Sequence, residues 1–489
     1  MLGLVSRLSK KIVFQLSAFY FLVGVFTICL LSLNQGFDVL AELSSTQFNS
    51  LGAKILAMQV FLLCVITFNL ILIFVSRDPL SENKTTRSLW VLGACWSIFV
   101  FLPSAASSEV SRDFFTKYFY AFGVGHLFPN FSDLRGTIAA MNKVRDVGDS
   151  FQIDCLPIEE PCLGWRWTYG SAILKFPNFG IILEKNAPVF ALMFFLIFLS
   201  CLWKITQSKL DVYLLSFFAL TGSSLLIVER MNIDLLALPL IYLLSKLAKM
   251  NLAKSLVLFS FFLIFTLTKF YTIPLFIAFM LLRRGKAERI FYFLATSLGS
   301  LMILGDIKVI GTNSYNFGYA ATHGLKVLTG FASGQSFPKI VISSISTYVV
   351  LITLIGAFAI FFRIYSRIEL SNIDQGSKNL FLLAYLLFAT TWLLSANYPY
   401  RLVSTLAFIP LLTTLLKRRL LLGSLNIGLL YATFLGIHIS LSPLRNVFAG
   451  LFFVSTSALC IRLIQKYPIL ESEKIYLLNR IRKKESSGK

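Results

Sequence analysis

The chain has 489 residues, 56% of them hydrophobic and 15% aromatic, with 48 Phe and a mean hydropathy of +0.76. Its apolar residues fall in blocks rather than stripes, which excludes a soluble globular protein and predicts an all-α, polytopic integral membrane protein. Lys and Arg number 45 against 23 Asp and Glu, a net charge of +22, and because the basic residues gather in alternate connections the excess reports membrane orientation and contact with membrane lipids, with no nucleic acid as partner.

In chain order, apolar blocks are read at 12–33, 53–76, 89–106, 187–203, 212–228, 235–248, 255–268, 271–282, 290–305, 340–362, 380–396, 402–416, 421–441 and 446–464. These predict about fourteen transmembrane helices, several of them short. Basic clusters mark every second connection: Arg7, Lys10 and Lys11; Arg77, Lys84 and Arg87; Lys246, Lys249 and Lys254; Arg283, Arg284, Lys286 and Arg289; Lys417, Arg418 and Arg419; then Arg480 to Lys489. The positive-inside rule therefore places both the N- and C-termini in the cytoplasm. The first block is too long for a removed signal peptide and reads as an anchor. Four regions follow: N-terminal membrane helices at 1–107, a large extracytoplasmic segment at 108–186, a transmembrane bundle at 187–464 with a second outer loop at 306–339, and a basic tail at 465–489. Short cytoplasmic loops point to a bacterial inner membrane, with an endoplasmic reticulum placement having the same topology.

The region 108–131 carries Phe114, Phe115, Tyr118, Phe119 and Phe122 at helical spacing beside Arg112 and Lys117. That pattern suits a helix lying in the interface or packed on the bundle. The polar stretch from Asp133 to Pro177 then stands out in an otherwise apolar chain, with a helical pattern up to Val147, acids at Asp149, Glu159 and Glu160, and the aromatic run Trp165-Arg166-Trp167-Thr168-Tyr169. Long loops of this composition are where binding and catalysis concentrate. Cys155 and Cys162 lie in it and are placed for a disulfide in a non-cytosolic compartment; a metal pair would lack further His or Cys ligands nearby, so no metal and no cofactor are expected.

Further outer turns carry isolated charges. Glu229-Arg230-Met231-Asn232-Ile233-Asp234 lies between two apolar blocks, where charge needs a cavity or a partner; a salt bridge tying two helix ends is the simpler reading. Lys269 sits in Thr268-Lys269-Phe270-Tyr271 between two short segments, and snorkelling to the surface would accommodate it. Tyr400 and Arg401 lie in the turn Asn397-Tyr398-Pro399-Tyr400-Arg401. The loop 306–339, rich in glycine, has the flexibility to close over a substrate. No P-loop or Rossmann glycine pattern appears.

A carboxylate beside headgroup-depth cations suits a lipid-linked phosphosugar: Asp133 as proton acceptor, Lys269, Arg230 and Arg401 for the donor phosphate. Arg135, Trp167, Tyr169, Asn232 and Tyr400 are candidates for contact with the sugar or substrate, the aromatic rings by stacking on sugar faces. The order of "SDLRGTIAAMNKVRDVGDSF", "WRWTYGSAIL", "ERMNIDLLALPL", "LTKFYTIPLF" and "NYPYRLVSTLAFIPLL" resembles the polyprenol-phosphate-dependent mannosyltransferases of glycosyltransferase family 87, over roughly residues 108–420. The resemblance implies a GT-C fold, with Asp133 matching the catalytic aspartate and Tyr169 the tyrosine of a Tyr-Pro motif. Gly170 stands where that family has proline, and Glu229-Arg230 stands in place of Gly-Gln. The implied activity is an inverting hexosyltransferase of the cell envelope that takes a mannose-like sugar from a polyprenyl-phosphate donor to a lipid or glycan acceptor. The rivals are a surface-polysaccharide polymerase or ligase and, outside enzymes, a lipid or sugar transporter or flippase.

Overall fold

In the computed structural model the described residues are 92–108, 110–121, 130–147, 184–219, 221–282, 285–313, 341–370, 373–394, 399–435 and 442–465. Among them the chain is helical, without strands. The elements are α1 (Leu92–Ala106), α2 (Arg112–Ala121), α3 (Ser132–Val147), α4 (Ala187–Ile205), α5 (Lys209–Ala219) and α6 (Gly222–Arg230). They continue as α7 (Ala237–Ser245), α8 (Leu252–Thr268), α9 (Ile277–Leu282), α10 (Lys286–Asn313), α11 (Val341–Ser366) and α12 (Gln375–Leu394). The last are α13 (Ile409–Arg418), α14 (Leu420–Leu435) and α15 (Ser442–Gln465).

Among the described residues, three helices have the length and apolarity to cross a membrane by themselves, within Ala187–Ile205, Tyr348–Ser366 and Arg445–Gln465. Counted together as one broken span, α5 and α6, bent by 67°, would make a fourth, where the sequence reads one continuous block at 212–228. The bend has local causes. Gly222 opens α6, and the Thr221 and Ser224 hydroxyls both donate to the carbonyl of Phe218 at 2.7 Å, binding the last turn of α5 to the first of α6. Shorter apolar helices fill the spaces between, as the short sequence blocks suggest. These apolar helices mark a membrane-embedded protein. The outward faces agree: Val189 and Leu196 on α4 and Ile352, Ile355 and Ile360 on α11 are more than half exposed, as side chains facing lipid tails are.

Two sequence expectations shift. The outer loop expected from 306 begins as helix, because α10 runs on to Asn313. The aromatic helix at 108–131 forms as α2, and it packs on the bundle: Phe119 is fully buried and the Tyr118 hydroxyl donates to the carbonyl of Phe99 at 2.8 Å.

Polar side chains fasten the bundle from within. Asn426 on α14 donates to the Tyr365 hydroxyl of α11 at 2.7 Å, and Ser455 of α15 donates to Asn426 Oδ1 at 2.8 Å while lying 3.0 Å from the same Tyr365 hydroxyl. The three groups satisfy one another, so no polar atom of the triad faces hydrocarbon alone. Elsewhere Thr413 on α13 donates to the buried Asp211 of α5 at 2.7 Å. The α13–α14 turn is tight for a steric reason. A Cβ on Gly423 would lie 2.2 Å from the Leu416 Cα, so only glycine lets the two helices fold back here.

Three membrane segments change pitch at the same end of the bundle. Ile233–Leu236, Phe270–Phe276 and Pro399–Phe408 are wound as 3-10 helix before they continue as α7, α9 and α13. Runs of seven and ten residues are long for this conformation, which is favoured at functional hinges and where the backbone is under local constraint. Hydroxyls take up the freed carbonyls. Thr272 donates to the carbonyl of Lys269 at 2.8 Å, Ser404 to that of Arg401 at 3.0 Å and Thr405 to that of Leu402. Broken helices survive at membrane depth only with such repair.

Candidate active site

The three 3-10 segments and the start of α3 deliver their charged residues to one place. Asp133 stands in the first turn of α3, where a carboxylate also complements the helix dipole. Asn232 Nδ2 donates to Asp133 Oδ2 at 2.6 Å, and Arg230 Nη1 lies 3.6 Å from Asp133 Oδ1. The Asn232 carbonyl oxygen accepts from Lys269 Nζ at 3.2 Å and from the backbone N–H of Asp234 at 3.0 Å. The amide is thus oriented from both sides, its NH2 toward the carboxylate and its oxygen toward the ammonium.

Asp234 is the second hub. Its Oδ1 lies 3.1 Å from Lys269 Nζ and accepts the Tyr271 hydroxyl, while its Oδ2 accepts from Arg401 Nε at 3.2 Å. The Arg401 guanidinium also lies over the Tyr271 ring, 4.7 Å from its centroid. Glu229, buried, pairs with Arg230 Nε at 3.1 Å. Asp133, Glu229 and Asp234 are therefore matched by Arg230, Lys269 and Arg401, and the cluster is neutral as assembled.

Snorkelling does not describe Lys269. Its side chain is fully buried, with the ammonium held by Asn232 and Asp234. A buried ammonium of this kind survives only because its partners are buried with it. Arg230 and Arg401 differ, each keeping 17% of its side chain exposed, so these two are the cations an anionic ligand reaches first. The ERMNID turn likewise does more than tie two helix ends, since it reaches α3 through Asp133 and the Phe270–Phe276 segment through Lys269.

The backbone beneath the cluster is strained. Among the described residues, Phe131 (φ 59°) and Met231 (φ 46°) are the non-glycine residues in left-handed conformation. One directly precedes Ser132-Asp133 and the other separates Arg230 from Asn232. Met231 closes α6 in the αL position usually held by glycine, its N–H bonding Val228 O at 3.1 Å and that of Asn232 bonding Ile227 O at 3.3 Å. Such a conformation costs a bulky residue about 1–2 kcal/mol and collects at functional sites. Burial holds both in place: each is fully buried, and Phe131 stacks on Phe101 at 5.9 Å between ring centroids.

Burial pushes the Asp133 carboxyl above the ordinary carboxylate range, aided by nearby Glu229; Arg230, Asn232 and Lys269 pull the other way without cancelling the effect. A carboxylate so raised is a better proton acceptor near neutral pH than an exposed one.

Of the residues singled out by sequence, Asp133, Arg230, Asn232, Lys269 and Arg401 converge. Arg135 hydrogen-bonds the chain just before α3. Its Nε and Nη2 donate to the Asn130 carbonyl and side-chain oxygens at 2.9 and 3.1 Å, and Asn130 in turn donates to the Ala105 carbonyl at 3.1 Å. Arg135 thereby fastens the start of α3 to the end of α1. Tyr400 belongs to the Pro399–Phe408 helix beside Arg401, but its side chain lies outside what is described. Trp167, Tyr169, Cys155 and Cys162, with Asp149 and Glu159, lie outside the described residues, as does most of 306–339.

Sequence reasoning passed over Asp234, Tyr271 and Glu229 as members of the site, although Asp234 and Glu229 sit in the same polar hexapeptide as Arg230 and Asn232. It also passed over Ser132, whose buried hydroxyl has no hydrogen-bond partner among the described residues and adjoins Asp133. Among the described residues no group of His, Cys, Asp and Glu is arranged to hold a metal ion. No protein-family model matches the chain, and no curated protein or solved structure matches it.

Proposed function

We propose that this protein is a membrane glycosyltransferase of the GT-C type that moves a mannose-like sugar from a polyprenyl-phosphate donor to a lipid or glycan acceptor at the extracytoplasmic face. The observation that carries the reading is the meeting of Asp133 with Arg230, Asn232, Lys269 and Arg401, residues up to 268 positions apart in the chain. In the proposed reaction the acceptor hydroxyl oxygen attacks the anomeric carbon, and Asp133 takes the hydroxyl proton. The bond from that carbon to the phosphate oxygen breaks, and polyprenyl phosphate leaves with the electron pair. One displacement inverts the anomeric centre. Arg230 and Arg401 are the groups to face the leaving phosphate, and buried Lys269 positions Asn232 and Asp234. A GT-C fold with about fourteen membrane helices and both termini cytoplasmic in a bacterial inner membrane is part of the proposal.

Purified wild type and Asp133→Asn, assayed in detergent for release of polyprenyl phosphate from polyprenyl-phosphate sugars with cell lipids as acceptor, test the reading. Release by wild type that is lost in a well-folded variant supports it. Release that survives the substitution moves the base to another carboxylate, and no release by wild type overturns the transferase assignment.

A second reading has one observation in its favour. A neutral, buried network of carboxylates and cations is also what an ion-coupled transporter carries. Substrate uptake into proteoliposomes without any donor consumption would select it.

A further inference from the structure

At the other end of the molecule a groove of 920 Å³ is lined by Arg363, Arg367, Arg418 and Arg419 together with aliphatic residues that include Ile360 and Ile364. Its position follows from one continuous element. Pro399–Phe408 and α13 run from Arg401 in the charged cluster to Arg418 in the groove, and ten residues of each pitch span about 35 Å, close to the ~30 Å hydrocarbon thickness of a bilayer. Lys246, Lys249 and Lys254 also belong to this end, since each is separated from Asp234 or Lys269 by the length of α7 or α8. The concentration of positive charge assigns this end to the cytoplasm.

We propose that the groove holds the headgroup phosphate of an anionic phospholipid from the cytoplasmic leaflet. A scatter of basic residues at a membrane surface does not make a site, but this arrangement has three further properties. First, the arginines come from two regions far apart in sequence, with Arg363 in the last turn of α11 and Arg367 just past its end, and Arg418 and Arg419 at the tight turn that Gly423 permits. Second, the groove's lining among the described residues is arginine and aliphatic, with no carboxylate. Third, the groove continues into the exposed aliphatic face of α11, where Ile352, Ile355 and Ile360 are 63–68% exposed. A lipid lying there sets its acyl chains along α11 and its phosphate among guanidinium forks that match phosphate oxygens bidentately. Arg462 of α15 donates to the Ser366 carbonyl at 3.2 Å, fixing the end of α11 that carries the arginines.

The test uses the full chain purified in detergent and titrated with dioleoyl phosphatidylglycerol, with bound lipid counted by native mass spectrometry. Phosphatidylethanolamine and inorganic phosphate serve as comparison probes. The site predicts preferential retention of phosphatidylglycerol and a loss of about fivefold in affinity for each arginine changed to glutamine. All four side chains are exposed, so R363Q/R367Q and R418Q/R419Q leave the core untouched, and either pair carries the test if the fourfold variant does not fold. Equal retention of both lipids, or retention unaltered in both double variants, overturns the proposal. Inorganic phosphate displacing the lipid at equal concentration also overturns it, assigning the groove to a free anion.

Discussion

Two buried polar clusters in this protein solve the same physical problem in opposite ways. Tyr365, Asn426 and Ser455 form a neutral triad whose hydrogen bonds close on themselves. The cluster of Asp133, Glu229, Arg230, Asn232, Asp234, Lys269 and Arg401 is ionic, sits on strained backbone and leaves Arg230 and Arg401 partly open. A fold that needed only helix association would use the first solution, since a neutral triad carries no charge-desolvation penalty. The second is costly to assemble and worth keeping for chemistry. Under the proposed function, that contrast separates residues that act from those that hold.

The largest expected effect falls on Asp133. Asp133→Asn preserves shape and, under the proposed reaction, is expected to lower sugar transfer by about 10²–10⁴-fold, the usual contribution of a positioned base, with the thermal unfolding profile in detergent showing that the fold persists. Asp234→Ala breaks the comparison from the other side. It leaves Lys269 and Arg401 buried or half-buried without their shared carboxylate, and a loss of about 3–5 kcal/mol in denaturant unfolding is expected. Asn426→Ala removes the centre of the neutral triad, yet Tyr365 and Ser455 still face one another, so the same measurement is expected to give about 1 kcal/mol, with transfer unaffected.

The pH dependence sharpens the distinction further. Because the folded-state pKa of Asp133 is raised, transfer is expected to climb as pH rises through that value, above the ordinary carboxylate range, and then to level off. The stability contribution of this group has the opposite sign: it is present at acid pH and is lost as pH rises through the raised folded value. Activity and stability are thus expected to move in opposite directions across one pH window, and Asp133→Asn to abolish both movements. A pH–rate profile beside a pH–stability profile checks this. The Tyr365 triad contains no group that titrates near neutrality, and its variants are expected to leave both profiles in place.

The sequence by itself determined the membrane-embedded, all-helical character, because bilayer-length apolar blocks are a local property of the chain. It also marked Asp133, Arg230, Asn232, Lys269 and Arg401, since charge between apolar helices is expensive wherever it occurs. What only the tertiary structure decided is who pairs with whom. Asp234 looks in sequence like one more polar residue of a turn, yet it joins Lys269 to Arg401, because three separate segments change to 3-10 pitch at one level of the bundle. Lys269 reads as a snorkelling side chain until its partners arrive from Asn232 and the Ile233–Leu236 turn that follows it. Arg135 reads as a candidate ligand contact, and only the fold shows its hydrogen bonds to Asn130. The left-handed backbone at Phe131 and Met231 carries no glycine to announce it, and burial, a property of the assembled fold, is what holds it. Hydropathy and charge are written residue by residue, whereas burial, pairing and strain exist only between segments that folding brings together.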